Sequence, residues 1–313
     1  MRIFVAGATG AVGQRLIPQL IERGHEVIGT TRVPAKMATI AAAGAKAVVV
    51  DALRRDQVLA AVAEAQPEVI IHQLTAIGGA PDLRHFDDYF AATNALRTTG
   101  TDNLIAAAQA SGVRRLVAQS YGGWPYARSG GPIKTEADPL DPNPATNARK
   151  TLAAIRHLET AVMAAGPVEG VCLRYGGFYG PGNGLGRGGE VVEMVRKRRL
   201  PIVGGGTGIW SFLHIDDAAS AAVLAAEGGP QGIYNIVDDE PAPVNEWLPY
   251  LAHTLGAKPP LRVPAWLVRP VLGEQGTLMM TQVRGASNAK ARAQLGWVAS
   301  YPTWREGFRT GLG

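Results

Sequence analysis

The first stretch of the chain with a spacing suited to chemistry is a glycine-rich turn, Gly7 to Gly13. A predicted strand precedes it and a predicted helix follows it, which is the setting in which spaced glycines bind a dinucleotide. Gly7 permits the tight turn, Gly10 lets the backbone approach a pyrophosphate, and Gly13 allows the helix to pack closely on the strand. We therefore expect a nicotinamide dinucleotide to contact Gly7, Thr9, Gly10, Ala11, Val12 and Gly13.

The end of the second predicted strand bears on the choice between NAD and NADP. An acidic residue here would bind the ribose 2′-hydroxyl of NAD, but the chain has Arg32, whose cation suits the 2′-phosphate of NADP. Lys36, one turn into the next helix, can assist. Asp51, after the third strand, is placed to accept a hydrogen bond from adenine. The alternative is that Arg32 and Lys36 are surface cations without a ligand, so the sequence favours NADP and leaves NAD possible.

These residues need a scaffold that brings the ends of several strands together. Short apolar runs alternate with helical patterns through about residue 174, which is typical of βαβ units in a parallel sheet. After Gly180–Gly182 the pattern changes to loops rich in glycine and proline, with shorter helices. We predict a doubly wound α/β domain of the Rossmann type over residues 1–180, to which residues 211–240 return. Residues 181–313 are predicted to form mainly a smaller C-terminal substrate lobe.

The composition excludes several classes of protein. The 313 residues are 46% hydrophobic and 18% charged, which is typical of a globular chain. No run of about 18 apolar residues predicts a membrane span, and no signal peptide is recognised. The single cysteine, Cys172, allows no internal disulfide and fits a cytoplasmic location. The basic run Arg196–Arg199 lacks the interleaved aromatic residues of a nucleic-acid groove, so we expect no nucleic-acid partner despite the net charge of +5.

Ordered matches along nearly the whole chain resemble the extended short-chain dehydrogenase/reductase family, the NAD-dependent epimerase/dehydratase group. The matching segments are Gly7–Gly13, Asp51, Asn94, Gly112–Val117, Leu173–Gly176, Tyr179–Gly182, Phe212–Asp217, Asn288–Arg292 and Leu295–Trp297. The resemblance implies a Rossmann fold, a nicotinamide cofactor and a small-molecule substrate. We also include among the candidate cofactor contacts Leu74 and Thr75, in the loop after the fourth strand, and Asn94, in the helix beyond it.

The chain departs from the catalytic pattern of the family it resembles. That pattern is a Tyr-x-x-x-Lys pair with an upstream Ser or Thr, in which the tyrosine exchanges a proton with the substrate oxygen. If Lys150 is the family lysine, the tyrosine position holds Thr146. If the alignment instead follows Glu159, the pair becomes Thr151 and Ile155. Neither register supplies a tyrosine, so we predict an atypical member.

Other hydroxyl groups near the expected nicotinamide end are candidates for the missing proton donor. Counted back from Tyr126, the family's usual hydroxyl position is Gly122, and Ser120 lies two residues earlier. Four tyrosines fall in this region: Tyr121, Tyr126, Tyr175 and Tyr179. Tyr121 directly follows the fifth strand and is the first candidate. The predicted catalytic set is Tyr121, Ser120 and Lys150, and a purely structural role remains the alternative for each.

Aromatic residues suggest the character of the substrate. In family members that act on nucleotide sugars, an arginine before the His-x-x-Asp segment clamps the diphosphate, and Trp210 stands at that position here. A tryptophan cannot supply bidentate, charge-assisted bonds to a phosphate. With Trp124, Tyr175 and Phe178 it predicts an apolar pocket, unless Trp210 packs into the core of its own lobe. No residue at metal spacing accompanies His214, so we predict no metal site.

Three functions are compatible with these features. The first is an NADP-dependent oxidoreductase for a small, uncharged or hydrophobic carbonyl-type substrate. The second is an epimerase or dehydratase with tightly bound cofactor, and the third is a non-catalytic redox sensor that binds the dinucleotide. The resemblance also implies a homodimer formed through the helices around residues 97–110 and 151–164. The alternative is that the alanine-rich faces of these helices cover the sheet.

Overall fold

The computed structural model describes residues 1–79 and 82–313. Its strands, in chain order, are β1 (Arg2–Ala6), β2 (Glu26–Thr31), β3 (Lys46–Val49), β4 (Val69–His72), β5 (Arg115–Tyr121), β6 (Ile133–Lys134), β7 (Glu169–Tyr175), β8 (Gly177–Tyr179), β9 (Ile202–Val203), β10 (Ile209–Trp210), β11 (Phe212–His214), β12 (Gly232–Ile236), β13 (Ala242–Pro243), β14 (Arg262–Val263) and β15 (Gly285–Ala286).

The α-helices are α1 (Ala11–Glu22), α2 (Met37–Ala42), α3 (Arg55–Ala65), α4 (Phe86–Tyr89), α5 (Ala91–Ala95), α6 (Thr101–Ala110), α7 (Arg149–Met163), α8 (Glu190–Arg196), α9 (Ile215–Glu227), α10 (Val244–Thr254), α11 (Ala265–Thr281), α12 (Ala289–Leu295) and α13 (Trp304–Thr310). Helix α11 contains a break at Gly273, whose φ is 69°. Two 3₁₀ turns, Pro34–Lys36 and Thr146–Ala148, precede α2 and α7, and a π-helical turn, Leu96–Gly100, joins α5 to α6.

Seven parallel strands form the central sheet in the order β12-β7-β5-β4-β1-β2-β3. The central strands are apolar on both faces, since every residue of β4 and all of β1 after Arg2 are buried. The chain runs outward from β1 in one direction through β2 and β3, and in the other through β4 and β5. The strand order therefore reverses between β1 and β4, where doubly wound sheets bind their ligands. The Rossmann-type prediction is confirmed.

Helices cover both faces of this sheet. One apolar core lies under α1 and α9 and the other under α3, α6 and α7. Residues 215–236 supply α9 and β12, and β12 pairs with β7 at the edge of the main sheet. The smaller lobe has its own aromatic core, in which Trp247, Trp304, Phe212 and Phe308 are almost fully buried. The cleft between this lobe and the ends of the strands is the place to look for a site.

The sequence pattern predicts one long helix over residues 86–111, but the structure divides this stretch. Helix α4 ends at Tyr89, and the π-helical turn interrupts the remainder at Leu96–Gly100. The Oγ1 atoms of Thr98 and Thr101 lie 3.0 Å from Asn94 O and 3.4 Å from Leu96 O, respectively. Such hydroxyl-to-carbonyl bonds compete with the regular helical pattern. The hydrophobic period alone does not reveal this interruption.

Helices α6 and α7, expected to pair in a homodimer, pack against each other and cover the sheet in this single chain. Their outer faces carry polar side chains, and His157 Nε2 lies 2.8 Å from Asp102 Oδ1. The homodimer therefore stays a prediction. Across residues 1–79 and 82–313, no helix is both long enough and apolar enough to cross a membrane.

Candidate active site

The glycine-rich turn between β1 and α1 is too tight for side chains at two of its positions. Gly7 has a φ of +96°, and a Cβ atom there would lie 2.6 Å from the carbonyl oxygen of Gln73. A Cβ atom on Gly13 would lie 2.3 Å from the carbonyl oxygen of Gly7. Gly10 differs, because the nearest heavy atom to its Cβ position is 3.3 Å away. The turn thus presses Gly7 and Gly13 against the protein and leaves Gly10 accessible from outside.

The N-terminus of α1 offers unpaired backbone amides above this turn. The first helical hydrogen bond runs from Gln14 N to Gly10 O at 3.0 Å, so the amides of Ala11, Val12 and Gly13 precede the helical ladder. No side chain caps the helix at Gly10. An anion is stabilised at such an end by the amides and by the helix dipole. The residues present therefore fit the pyrophosphate of a dinucleotide.

Two cations lie beyond the end of β2. Arg32 and Lys36 are exposed, and neither forms an ion pair within the described ranges. Asp51 is partly buried, and its Oδ1 accepts a hydrogen bond from Leu53 N at 3.0 Å. The structure thus places two cations where a 2′-phosphate is expected. One oxygen of the Asp51 carboxylate already accepts a hydrogen bond from the backbone of Leu53.

The loop after β4 is fixed to the helices beyond it. Ala76 N donates to Thr93 Oγ1 at 3.0 Å, which holds the loop containing Leu74 and Thr75 against α5. Asn94 Nδ2 donates to Thr151 Oγ1 at 3.0 Å, whereas its Oδ1 is buried without a partner in the described structure. Asn94 thus keeps an unused acceptor near the predicted nicotinamide end.

A small cleft, with about 20 Å³ of space for water-sized groups, lies between the end of β5 and the smaller lobe. Its lining residues are Tyr121, Gly122, Gly123, Trp124, Ile209, Trp210, Ser211, Met279 and Val283. The structure therefore brings together three predicted site residues that are far apart in the chain, Tyr121, Trp124 and Trp210. Trp210 also packs against Trp247, with ring centroids 5.1 Å apart and planes tilted by 42°, so part of its ring belongs to the lobe core. Aromatic walls of this kind fit a flat, apolar substrate.

Among the four tyrosines considered, Tyr121 is the one that lines the cleft. Its hydroxyl makes no hydrogen bond to the part of the chain that the structure describes. Burial raises the pKa of Tyr121 to about 12, although the nearby Arg97 cation lowers it. The hydroxyl is therefore protonated at neutral pH and has a proton to donate.

The other three candidate tyrosines, Tyr126, Tyr175 and Tyr179, are fully buried. Tyr175, expected to contact substrate, instead lies in the main core, where its hydroxyl donates to Ala218 O at 3.1 Å and accepts from Gln73 Nε2 at 3.2 Å. This placement argues against a direct substrate contact. Phe178 is partly buried, with its ring 5.4 Å from that of Tyr175. Phe178 therefore packs beside the core and is not part of the cleft lining.

Ser120, expected as a catalytic hydroxyl, belongs to a buried polar network. Its Oγ donates to Glu159 Oε1 at 2.7 Å, and Arg174 donates to both oxygens of the same carboxylate, each at 2.7 Å. Arg174 also donates to the Tyr126 hydroxyl at 2.8 Å. Because the Ser120 hydrogen is committed to Glu159, the structure argues for a structural role and against the predicted catalytic one.

Comparison with known proteins identifies the family. The model of the NAD dependent epimerase/dehydratase family matches residues 3–237. The chain belongs to this family. It is thus an NAD(P)-dependent oxidoreductase or epimerase with a nicotinamide dinucleotide cofactor, as the sequence predicts.

Relatives of this family member include reductases and epimerases. It is 45% identical, over 98% of its length and 99% of the relative, to a 3-diazoavenalumate denitrifying reductase from a Streptomyces species. It is 30% identical to a 2-alkyl-3-oxoalkanoate reductase from Stenotrophomonas maltophilia, over 82% of this chain and 76% of that one. Among solved structures, the NAD complex of the Thermus thermophilus UDP-glucose 4-epimerase matches with a TM-score of 0.75 and 26% identity, covering 100% of this chain and 98% of that one.

The residues predicted at the catalytic positions of the family differ in their surroundings. Thr151 is buried on the inner face of α7, and its hydroxyl donates to Asp87 Oδ1 at 2.7 Å. Ile155, one turn later, is also buried. Lys150, the alternative lysine, is exposed, and its ammonium makes no ion pair in the described ranges. At Gly122, where a hydroxyl is usual, the cleft has no side chain. The absence of the family's proton-donating tyrosine therefore stays a prediction.

Two polar groups close to the cleft are missed by sequence reasoning. Arg97 is buried in the π-helical turn with its Nη1 unpartnered in the described structure. His72 is also buried, and burial together with the Arg97 charge lowers its pKa to about 4, so that it is neutral. The sequence gives no signal for Arg97, because residues 94–103 are largely polar and a surface arginine would look the same there.

Proposed function

We propose that this protein is an NADP(H)-dependent reductase that replaces the diazonium group of a flat aromatic substrate with hydrogen. The observation that carries the proposal is the set of residues predicted at the catalytic positions. The tyrosine position holds Thr146 in one register and Thr151, whose hydroxyl is engaged, in the other, and the upstream hydroxyl position holds Gly122. Reduction of a carbonyl group requires a proton for the oxygen, whereas displacement of dinitrogen by hydride does not. A chain that performs the second reaction can dispense with the tyrosine.

The amides at the start of α1 would hold the pyrophosphate of a reduced nicotinamide dinucleotide, which would supply a hydride for the new C–H bond. The C–N bond would break with its electron pair leaving on dinitrogen, so that the arene would be reduced, the nicotinamide oxidised and no proton consumed. The protein's own contribution is to place the ring against Trp124 and Trp210, which both line the cleft, and to exclude water from it. The relative that is 45% identical is named for the same type of reaction, which supports the proposal.

Isotope labelling is expected to show that the new hydrogen comes from the nicotinamide alone. With a 4-hydroxybenzenediazonium salt and NADPH deuterated at the transferable C4 position, we expect deuterated phenol. With ordinary NADPH in D₂O, the ring should carry no new deuterium. Mass spectrometry of the product measures both, and a reaction without enzyme measures the background. Deuterium on the ring carbon from D₂O, or no enzyme-dependent oxidation of NADPH, would overturn the proposal.

A second candidate function is reduction of a small hydrophobic carbonyl compound, with Tyr121 as proton donor. The unbonded Tyr121 hydroxyl in the cleft favours it, as does the 30% identity to an oxoalkanoate reductase. Tyr121→Phe separates the two functions. For a carbonyl substrate such as benzaldehyde we expect a loss of at least about tenfold in kcat. For the diazonium salt we expect an unchanged rate, and a tenfold loss there would place Tyr121 in both reactions.

We also propose a preference for NADP over NAD, supported by the two exposed cations at Arg32 and Lys36. Arg32→Ala should weaken NADPH binding by about tenfold or more and leave NADH binding nearly unchanged, because only NADPH carries the 2′-phosphate. Fluorescence titration with both cofactors measures the difference. Arg309→Met, on the exposed face of α13, is the control for loss of one positive charge. Equal losses for NADPH and NADH would remove Arg32 from cofactor selection.

A further inference from the structure

Arg97 is a buried cation without an anion. Arg97 is 6% exposed, and its Nη1 atom is enclosed by protein. Within residues 1–79 and 82–313, its guanidinium makes no hydrogen bond or ion pair. Burial lowers the pKa of Arg97 to about 10, so the group remains charged at neutral pH. Proteins rarely bury an unpaired charge, because desolvation is expensive. A ligand that supplies the missing anion would explain why this arginine is there.

The π-helical turn determines where Arg97 lies. The wider turn, Leu96–Gly100, packs against α7 close to the end of β5. Interruptions of this type occur frequently at functional sites, where they alter the direction of a side chain. One helical turn earlier, Asn94 also presents an unpartnered buried atom, its Oδ1. Two polar groups one helical turn apart thus have unused hydrogen-bonding capacity.

The charges around Arg97 do not neutralise it. Glu159 is the nearby carboxylate, but Arg174 holds both of its oxygens and Ser120 binds one of them. His72 is neutral, and Tyr121 keeps its proton at neutral pH. Two positive charges, on Arg97 and Arg174, therefore lie near the single negative charge of Glu159. This leaves one positive charge uncompensated near Tyr121, which is one of the residues that line the cleft.

We propose that Arg97 binds the carboxylate of an aromatic acid substrate whose ring occupies the cleft beside Tyr121. A guanidinium matches a carboxylate in shape and charge and binds it through two parallel N–H donors. The inference deepens the proposed function, on which it rests, by naming the substrate class. It also revises the expectation of an uncharged substrate, which Trp210 alone suggested. The cleft supplies the apolar contacts, and Arg97 supplies the charge.

The test compares two flat probes that differ in charge, cinnamate and cinnamamide. Isothermal titration of the NADP⁺-loaded protein should show cinnamate binding about tenfold or more tightly. Arg97→Met should reduce this ratio to about one, and Arg97→Lys should retain part of it because the charge remains. Arg309→Met, on the distant α13, should keep the full ratio. Thermal melting of Arg97→Met should give a Tm no lower than that of the wild type, because an unpaired buried charge has been removed.

Several results would overturn the inference. The first is equal binding of cinnamate and cinnamamide to the wild-type protein. The second is a cinnamate-to-cinnamamide affinity ratio in Arg97→Met that is unchanged from the wild type. The third is a loss of NADPH binding in Arg97→Met as large as its loss of cinnamate binding, which would assign the arginine to the cofactor. If Arg97→Met does not fold, the wild-type ratio and Arg97→Lys still decide. Probe binding involves no chemistry, so it can succeed where the diazonium assay fails. The reverse result, reduction of diazonium salts without preference for an acid, would leave the proposed function standing.

Discussion

Replacing Glu159 with glutamine is expected to lower the free energy of unfolding by about 3–5 kcal/mol, the usual cost of breaking a buried ion pair from one side. The Glu159 and Arg174 side chains are 6% and 5% exposed, and the shortest distance between them is 2.7 Å. Glutamine removes the counterion of Arg174 and replaces one acceptor oxygen with an NH₂ donor, which would face the donors of Arg174 or Ser120. The unpaired Arg97 nearby would then face a second uncompensated cation. Urea unfolding followed by circular dichroism measures the change.

Glu193→Gln is the matched control, because the Glu193 side chain is 40% exposed where it pairs with Arg196 and Lys197. Exposed pairs of this kind contribute about 1 kcal/mol or less. A loss of that small size in Glu159→Gln would show that the buried network is not what stabilises the end of β5. Adding Arg97→Met to Glu159→Gln should recover part of the loss, since one of the two unpaired cations is removed.

Replacing Gly13 with alanine is expected to weaken dinucleotide binding by about ten- to a hundredfold and to lower stability by about 1–3 kcal/mol. The added methyl group would lie 2.3 Å from Gly7 O and 2.7 Å from the Ala8 carbonyl group. Both contacts are with backbone, so α1 must move away from β1. The unpaired amides at the start of α1 would move with it. NADPH titration and thermal melting measure the two effects.

Two other glycines provide controls. Gly10→Ala should keep the stability, because its new methyl group is 3.3 Å from its nearest neighbour, but should weaken dinucleotide binding if the pyrophosphate approaches there. Gly131→Ala, in an exposed loop with its nearest contact at 4.0 Å, should change neither. Full NADPH affinity in Gly13→Ala would mean that the turn does not hold the cofactor.

The fold and the cofactor site were predictable from sequence because each depends on contiguous residues. Alternating apolar runs predict the strands of a parallel sheet, and the Gly7–Gly13 turn carries its whole function in neighbouring backbone atoms. The pattern fails within residues 86–111, because the threonine hydroxyl bonds that accompany the π-helical turn do not alter the hydrophobic period. The same limit applies to Ser120 and Tyr175, whose hydroxyl groups look available in sequence and are engaged in the folded chain.

What the sequence alone determined is thus the family, the Rossmann fold and the nicotinamide cofactor, whereas the absence of a tyrosine at the family's catalytic position stays a prediction. What only the tertiary structure decided is which polar groups are free. Within the part of the chain that the structure describes, the side chains of Tyr121 and Arg97 make no hydrogen bond, while those of Ser120, Thr151 and Tyr175 do. The reason is that a hydrogen bond or an ion pair depends on partners such as Glu159, Asp87 and Ala218, which are distant in the chain and are brought together only by folding.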